Sequence, residues 1–413
     1  MVKNIQYDTV QFFIEEKMVD ASAFDQFLNK TNFFLKLIGL YIDSEDSRRT
    51  IAERLRHHWK FMIHIIALNI SIVGEFIQLI IGLATGQRLI EITYLLPCLT
   101  LCMLGNYKIY YFILNIHHAN DIISKLKTLE PKIKQSEDVV RKIRLLKTIR
   151  YILLGLEVVG VTAFAVGPLA ITVSLFYKRN ELKFFLPFMV WYPFDACDIK
   201  FWPFVYVHQM WSAVLSVYGP DSFFLTCCTF IHIQFISLQN DWKNIVIRDS
   251  YKGLSRNETI KEHIIVLVDR HRELIRCVEL LEEVYTKSTL FNVLTSSLII
   301  CATGFNLMAL EDFALIAPFI AFIIFGLLQI FCYCYYGDCI MRSVSYEPYL
   351  LTNSRDYKCY AYPLKCLNCR TQKPCKLSAY GFTVINLRAF MRILSTSWSY
   401  FALLRQMYGQ NQK

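Results

Sequence analysis

The residues best suited to chemistry lie near the end of the chain, in a mostly apolar stretch from Ser378 to Met407. Arg388 and Arg392 are four residues apart and therefore share one face of a helix. Hydroxyl side chains follow in mid-stretch, at Ser395, Thr396, Ser397 and Ser399. Charges and hydroxyls inside a membrane segment usually face protein or water rather than lipid. The pattern is compatible with a helix that lines a conduction path. It is found more often, however, in a packed helix whose hydroxyl groups donate hydrogen bonds to carbonyls of the same helix.

Two acids, Glu75 and Glu157, lie inside other apolar runs. A buried acid in a membrane segment marks a possible functional site, although a structural hydrogen bond to a neighbouring helix is the commoner role. Glu157 would lie near Lys108 if the second and third apolar runs are neighbours in the fold.

Cysteines and histidines define no clear catalytic or metal site. Four of the 14 cysteines precede the last apolar stretch, at Cys359, Cys366, Cys369 and Cys375. The Cys366–Cys369 spacing begins many zinc sites, but the flanking spacings fit no common finger, and free thiols or palmitoylation are the alternatives. A phosphate-binding glycine loop and a His-Glu-x-x-His motif are both absent from the sequence. We therefore predict no enzyme activity, no cofactor and no metal.

The elements that position these residues are membrane helices. Of the 413 residues, 54% are hydrophobic and 15% aromatic, and the mean hydropathy is +0.34. Charged residues, 19% of the total, lie between long apolar runs, which is the pattern of a polytopic membrane protein. The net charge of +10 would suit nucleic acid. Because the basic residues flank the apolar runs, we predict membrane lipid and no nucleic acid as a partner.

Seven apolar runs are long enough to cross a bilayer, although six or eight is also an acceptable count. They cover residues 60–83, 90–114, 150–176, 203–236, 288–310, 314–341 and 378–407. We predict an all-α fold with seven transmembrane helices in one domain, 1–413. Its parts are a cytoplasmic region 1–59 with amphipathic surface helices, helices one to six within 60–341, a cytoplasmic loop 342–377 and helix seven at 378–407. We also expect a bend or break at Gly219-Pro220 and a tight hairpin at Glu311-Asp312.

Orientation follows from the positions of lysine and arginine. Of these 44 residues, roughly 34 lie in residues 1–60 and in the loops after spans two, four and six. About seven lie in the other loops and the C-terminal end of the chain. Positive charge collects on the cytoplasmic side. An odd number of spans then places the N-terminus in the cytoplasm and the C-terminus outside, the reverse of a G-protein-coupled receptor.

Two loops have a structural character of their own. The outward loop 177–202 is aromatic and contains proline, which predicts a folded lid or an interfacial aromatic belt. The inward loop 237–287 is highly charged and has apolar residues at helical spacing. These are Ile264, Leu267, Val268, Ile275, Val278 and Leu281. We predict a helix that projects into the cytoplasm and packs against partner helices.

Three motifs together resemble those of the insect odorant receptors, a family of odorant-gated cation channels. They are LPFMVWYPFD at 186–195 with Tyr206 and Gln209 after it, FCYCYYGDCIMRSV at 331–344, and the segment 370–409 with ILSTSWSYFALLRQMYG. The loop 345–369 departs from the family by lacking its usual tryptophan. The length of the second cytoplasmic loop and the C-terminal sequence resemble those of ligand-tuning subunits rather than of the co-receptor.

The resemblance implies a plasma-membrane receptor subunit that forms a heterotetrameric, non-selective cation channel with the obligate co-receptor (Orco). A small volatile odorant would bind in the outer half of the helix bundle, among helices two to six. The residues expected at that depth are Tyr94, Phe164, Pro168, Tyr206, Met210, Trp211, Ile300 and Phe305. For each of them, ordinary bundle packing is an equally good interpretation.

The resemblance also implies that helix seven lines the pore. The family pattern places a hydrophobic gate at Leu403, a polar ring position at Gln406 and a second narrow point at Met407. A cation path disfavours Arg405 in the lumen, so we expect it to face a neighbouring subunit or lipid headgroups. The nearest alternative is a gustatory-receptor-type channel, and a transporter is more remote because the sequence has no internal repeat.

Overall fold

The computed structural model describes residues 23–40, 59–87, 89–129, 186, 188–251, 257–309, 313–352 and 375–410, and a few single positions between 140 and 158. The third predicted span, 150–176, lies outside the described residues except for three single positions, and so do three of the four clustered cysteines. The described elements are α1 Ala23–Leu37, α2 Trp59–Ala84, α3 Leu89–Leu114, α4 Ile116–Leu129, α5 Trp202–Tyr251, α6 Asn257–Ala309, α7 Phe313–Thr352, β1 Ser378–Ala379, β2 Thr383–Val384 and α8 Leu387–Gln410.

The fold is a helical polytopic membrane fold. Four segments of the described helices are long and apolar enough to cross a bilayer: Trp59–Ala84, Trp202–Asn244, Glu262–Ala309 and Phe319–Val344. They lie in α2, α5, α6 and α7 and contain the first, fourth and fifth predicted spans almost whole and most of the sixth. Helices α3 and α8, with 26 and 24 residues, also have the length that a span requires. Helix α6 ends at Ala309 and α7 begins at Phe313, which confirms the predicted tight connection.

Helix α5 forms the centre of the bundle. In its apolar segment 94% of the residues are buried, compared with 28% in α2. It packs against α1, α3, α6 and α7. Helix α2 has its main contacts with α3 and α5 and leaves most of its apolar surface exposed. Exposed apolar surface on a spanning helix is the surface that lipid covers.

Helices α5 and α6 continue well beyond a bilayer. With 50 and 53 residues at 1.5 Å per residue they are about 75 and 80 Å long, compared with a hydrocarbon core of about 30 Å. The predicted cytoplasmic helix is therefore a continuous extension of α6. Its six periodic apolar residues are all buried. All of them except Ile275 belong to the same core as Ile122 and Leu126 of α4.

The N-terminal helix α1 packs against α5 by its apolar face. The rings of Phe24 and Phe230 meet edge to face at 4.9 Å. A Cβ at Gly219 would lie 3.0 Å from Leu35, so glycine permits the close approach. Of the bend or break predicted at Gly219-Pro220, the break is wrong, since α5 is helical throughout. Proline removes one backbone donor, and the tight packing around it, including a hydrogen bond from the Tyr285 hydroxyl to the Pro220 carbonyl, holds the helix together.

The start of the seventh predicted span, at residue 378, is also wrong. Residues Ser378 to Val384 form an antiparallel hairpin, and the helix begins only at Leu387. Three residues, Tyr380 to Phe382, connect the two strands. Tyr380 and Gly381 have φ values of 51° and 76°, a left-handed conformation that occurs in hairpin turns and that an α-helix excludes. After the hairpin, Ile385 lies so close to Gly337 of α7 that a Cβ there would overlap the Ile385 carbonyl oxygen.

Candidate functional site

An apolar cluster, here called the outer cluster, lies where α2, α3, α5 and α7 meet the loop before α5. Its buried members are Leu68, Cys98, Leu101, Cys102, Phe188, Ala213, Val217, Tyr218 and Phe322. Ile72, Val190, Met210 and Phe325 pack against it. Aromatic and aliphatic walls with few polar groups are typical of a site for a small apolar ligand.

Two of the predicted ligand residues lie at the junction of α3, α6 and α7. The Tyr94 ring meets the Phe319 ring edge to face at 4.8 Å. The neighbouring Thr93 exchanges two hydrogen bonds of 2.9 Å with Asn306. Phe305 precedes Asn306 and is fully buried. The paired polar groups therefore hold Tyr94 and Phe305 at one level of the bundle, and the half-buried Ile300 lies further along α6.

The other predicted ligand residues have different surroundings. Tyr206 is buried, with the Trp202 ring 5.1 Å away. Met210 packs on the outer cluster, whereas Trp211 is 44% exposed in the single chain. Phe164 and Pro168 lie outside the described residues. Met210 therefore places one of the predicted ligand residues directly against the outer cluster.

A narrow cavity of about 20 Å³ extends the outer cluster toward the middle of the bundle. Its lining residues are Tyr218, Asp221, Leu225, Phe325, Leu328, Gln329, Cys332 and Tyr333. This volume holds about one water molecule. An organic ligand of about ten heavy atoms would fit there only if side chains such as Phe325 and Leu328 moved aside.

The floor of this cavity is a buried ion pair that sequence reasoning missed. Lys108 of α3 donates to both carboxylate oxygens of Asp221 at 2.7 and 2.9 Å. Gln329 and Tyr333 of α7 donate to the same carboxylate at 2.6 and 2.7 Å. Lys108 is 1% exposed. The network ties α3, α5 and α7 together directly beneath the outer cluster. The available signal was Asp221 itself, an acid within an apolar run.

The loop before α5 closes the outer cluster from one side. Gln209 accepts a hydrogen bond from the Phe188 N–H at 3.0 Å and donates to the Phe188 carbonyl at 3.2 Å. The Trp191 N–H donates to the Gly74 carbonyl of α2 at 3.1 Å. A Cβ at Gly74 would overlap Val190, so only glycine permits this contact. This part of the predicted lid is therefore a folded element.

We expect Gln209→Leu to loosen that loop. The change removes the side-chain acceptor of the buried Phe188 N–H, at a cost of about 1–3 kcal/mol, whereas the Phe188 carbonyl still accepts a hydrogen bond from the Val190 N–H. A cost of 1.4 kcal/mol raises the population of the opened loop about tenfold. Limited proteolysis of intact cells should cleave the variant's loop about tenfold faster. Val207→Ala, at a 62% exposed position of the same helix, is the control. Equal cleavage of wild type and Gln209→Leu would contradict this role of Gln209.

Helix α8 packs by one face only. Its buried residues are Ala389, Ile393 and Ser397, spaced by four, and Phe401 continues this face against Gly304 of α6. The remaining faces are largely exposed in the single chain, and they carry arginine, serine, threonine and glutamine as well as apolar residues. A membrane helix with an exposed polar face needs water or another subunit beside it.

The predicted pore residues all lie on the exposed side of α8. Leu403 and Met407 are 55% and 49% exposed, and Gln406 is also exposed. At about 100° per residue the three occupy an arc of about 100°. Arg405 is exposed as well and lies about 160° from Leu403, on the side of Trp398. One helix rotation can therefore point Leu403 and Gln406 at a pore and Arg405 away from it.

Among the described residues no three histidines, cysteines or acids are grouped as metal ligands. Of the predicted cysteine cluster only Cys375 is described. Burial, together with the smaller effect of the nearby acids Glu279 and Glu282, raises the pKa of its thiol to about 12. A protonated thiol is a poor metal ligand and a poor nucleophile at neutral pH, so Cys375 acts here as an apolar side chain.

Known proteins similar to this chain are receptors of one kind. Residues 88–398 match the family model described as 7tm Odorant receptor. The chain is 24% identical over 363 residues to odorant receptor 67c of Drosophila melanogaster, which covers 84% of this chain and 87% of that protein. It is 22% identical over 396 residues to odorant receptor 85c of the same organism, with 93% and 99% covered.

Solved structures give the same result for the fold. The olfactory receptor OR5 from Machilis hrabei is 16% identical, with a TM-score of 0.71, and its complex with eugenol is 17% identical, with a TM-score of 0.74. Each comparison covers 93% of this chain and 98% of the other. The family model spans about three quarters of the sequence, and the relatives are receptors rather than enzymes. The chain belongs to the 7tm odorant receptor family.

Proposed function

We propose that this chain is the ligand-tuning subunit of an odorant-gated, non-selective cation channel in the plasma membrane. It would assemble with the obligate co-receptor as a heterotetramer, with its N-terminus in the cytoplasm and its C-terminus outside. The observation that carries the proposal is the exposed polar face of α8. A single chain cannot shield that face from lipid, and a pore at the centre of several chains provides both water and neighbouring subunits.

The ligand of this subunit would be a small, mainly apolar volatile. The outer cluster supplies aromatic and aliphatic walls, and the paired Thr93 and Asn306 leave few free polar groups beside Tyr94. The OR5 receptor of similar fold binds eugenol, a molecule of this size class. A ligand of about ten heavy atoms gains about 5–8 kcal/mol at ordinary efficiencies, which corresponds to micromolar binding at best.

Gating would be a shift between two arrangements of the bundle. The cavity beneath the outer cluster has room for about one water molecule. An odorant that displaces Phe325 and Leu328 therefore binds an expanded arrangement more tightly than the compact one. Such differential affinity is the condition for a ligand to move an equilibrium. Because Phe331 of α7 contacts Phe390 of α8 at 5.5 Å between ring centroids, movement of α7 reaches the pore helix.

Whole-cell recording tests the proposed function directly. The chain is expressed alone and with the co-receptor, and cells are exposed to a panel of volatiles that includes eugenol. We expect an odorant-evoked, non-selective cation current in the co-expressing cells only. Robust current from the chain alone would contradict the tuning-subunit assignment. If neither set of cells gives a current although the chain is at the cell surface, epitope tags on the two termini test the topology. An N-terminal tag accessible from outside, or a C-terminal tag accessible only from inside, would reject the proposed topology and with it the channel.

A further inference from the structure

Two arginines at the inner end of α8 have no role in the function proposed so far. Arg388 and Arg392 are one helical turn apart, and both are exposed in the single chain. Neither guanidinium forms a hydrogen bond or an ion pair within the described part of the chain. Two acids of the neighbouring helices have other partners: Asp338 of α7 pairs with Arg342 at 2.6 Å, and Glu282 of α6 accepts a hydrogen bond from Ser378 at 2.5 Å. The inner end of α8 therefore carries two uncompensated positive charges.

These arginines lie on the same side of α8 as its polar residues. At about 100° per residue, Arg388 and Arg392 fall within an arc of about 60° that also contains Ser395, Ser399 and Gln406. The centre of that arc is about 130° from the packed face at Ile393. At 1.5 Å per residue the stripe is about 27 Å long, close to the thickness of the hydrocarbon core. A helix that turns Gln406 toward a pore turns both arginines toward the same path.

We propose that Arg388 and Arg392 form a positively charged inner mouth that limits cation entry from the cytoplasmic end, divalent cations most of all. The inference rests on the proposed function, because it requires α8 to line a cation path. A positive potential lowers the local concentration of a cation by a Boltzmann factor that contains the ion's charge. A potential of about 0.7 kT at the mouth would halve the monovalent concentration and quarter the divalent one, and protein surfaces reach several kT.

Salt distinguishes this electrostatic effect from a structural one. The Debye length is about 10 Å at 0.1 M and about 3 Å at 1 M salt. A fixed charge at an open mouth therefore repels ions at low salt and is screened at high salt. A change in pore shape or in folding would persist at both concentrations.

The experiment uses excised inside-out patches that contain the chain with its co-receptor, activated by an odorant that opens the wild-type channel. We expect Arg388→Gln with Arg392→Gln to raise outward current about twofold with internal potassium at 50 mM and about fourfold with an internal divalent cation. The difference should disappear near 1 M salt. Arg388→Lys with Arg392→Lys keeps the charge and should behave as wild type.

Lys376→Gln is the matched control. Lys376 is an exposed cation beside the hairpin at the same inner end of the bundle, but it precedes α8 and does not belong to the stripe. Its neutralisation should leave outward current unchanged. An unchanged current in the double glutamine variant, or an increase that is equal at low and high salt, would overturn the proposal. Wild-type patches without any odorant-evoked current would instead reject the proposed function itself.

Discussion

Replacing Asp221 with leucine is expected to remove most of the chain from the cell surface. Lys108 would remain in the centre of the bundle, 1% exposed, without the carboxylate that accepts two of its hydrogen bonds. Removing one partner of a buried ion pair costs about 3–5 kcal/mol, because the other charge remains unpaired. A typical folded protein has a total stability of only about 5–15 kcal/mol. Gln329 and Tyr333 would lose an acceptor at the same time.

The double variant Lys108→Met with Asp221→Leu distinguishes the effect of losing the ion pair from the effect of leaving one buried charge unpaired. It removes both charges and should recover much of the surface level, since an apolar replacement of a buried pair is often neutral. Asp269→Ala is the control for an exposed acid: its partner Arg272 is 3.4 Å away and both side chains are more than half exposed, so the loss is at most about 1 kcal/mol. Surface biotinylation measures all variants. Wild-type surface levels of Asp221→Leu would refute the structural role of the pair.

Features of the fold that depend on local periodicity could be predicted from the sequence. The charged loop 237–287 contains apolar residues at helical spacing, and all six named positions are buried in one helix. Burial of a helix stripe depends only on spacing along the chain. The Lys108–Asp221 pair could not be found this way, because its partners are separated by 113 positions and belong to different helices. The acid suggested for Lys108 from sequence was Glu157, which lies outside the described residues.

Two errors have the same physical origin. An apolar window does not distinguish a helix from a short buried hairpin, so the seventh span was predicted to begin at 378 although Tyr380 and Gly381 adopt positive φ values. Likewise, a proline within a span predicts a break only if nothing restores the packing around it. In α5, Gly219 admits Leu35 of α1, and Tyr285 donates to the Pro220 carbonyl. Both outcomes depend on contacts with distant segments.

In the candidate site, too, the sequence predicts what depends on local pattern and misses what depends on contacts between distant segments. Hydropathy places Tyr94, Met210 and Phe305 at a common depth, and the structure gives each of them a neighbour in the outer part of the bundle. Whether a residue faces the ligand space or lipid depends on the rotation of its helix, which a single sequence does not specify. Trp211, next to Met210, is 44% exposed for this reason. The contacts that define the lid, from Gln209 to Phe188, involve backbone atoms and leave no pattern in the sequence.

Leu403→Ala is expected to raise the basal current of the channel about tenfold. Leu403 is 55% exposed in the single chain, on the side of α8 that also carries Gln406. If these side chains meet at the pore axis, they form a hydrophobic constriction that excludes water when closed. The change to alanine removes three carbons, each worth about 0.8 kcal/mol when buried. Loss of about 60% of that contact would shift the closed-to-open equilibrium by about 1.4 kcal/mol, or tenfold.

Leu404→Ala makes the same chemical change one residue away and is the matched control. Leu404 is half-buried and lies on the packed side of α8, within about 20° of Ile393 around the helix. Its truncation should weaken packing and lower the amount of surface protein without opening the pore. The measurement is current without odorant, normalised to surface protein, in cells that also express the co-receptor. A leak that appears only in Leu403→Ala, with the ion selectivity of the odorant-evoked current, assigns the constriction to Leu403. Equal leak in both variants would indicate a loosened bundle, and no leak in Leu403→Ala at normal surface density would place the gate elsewhere.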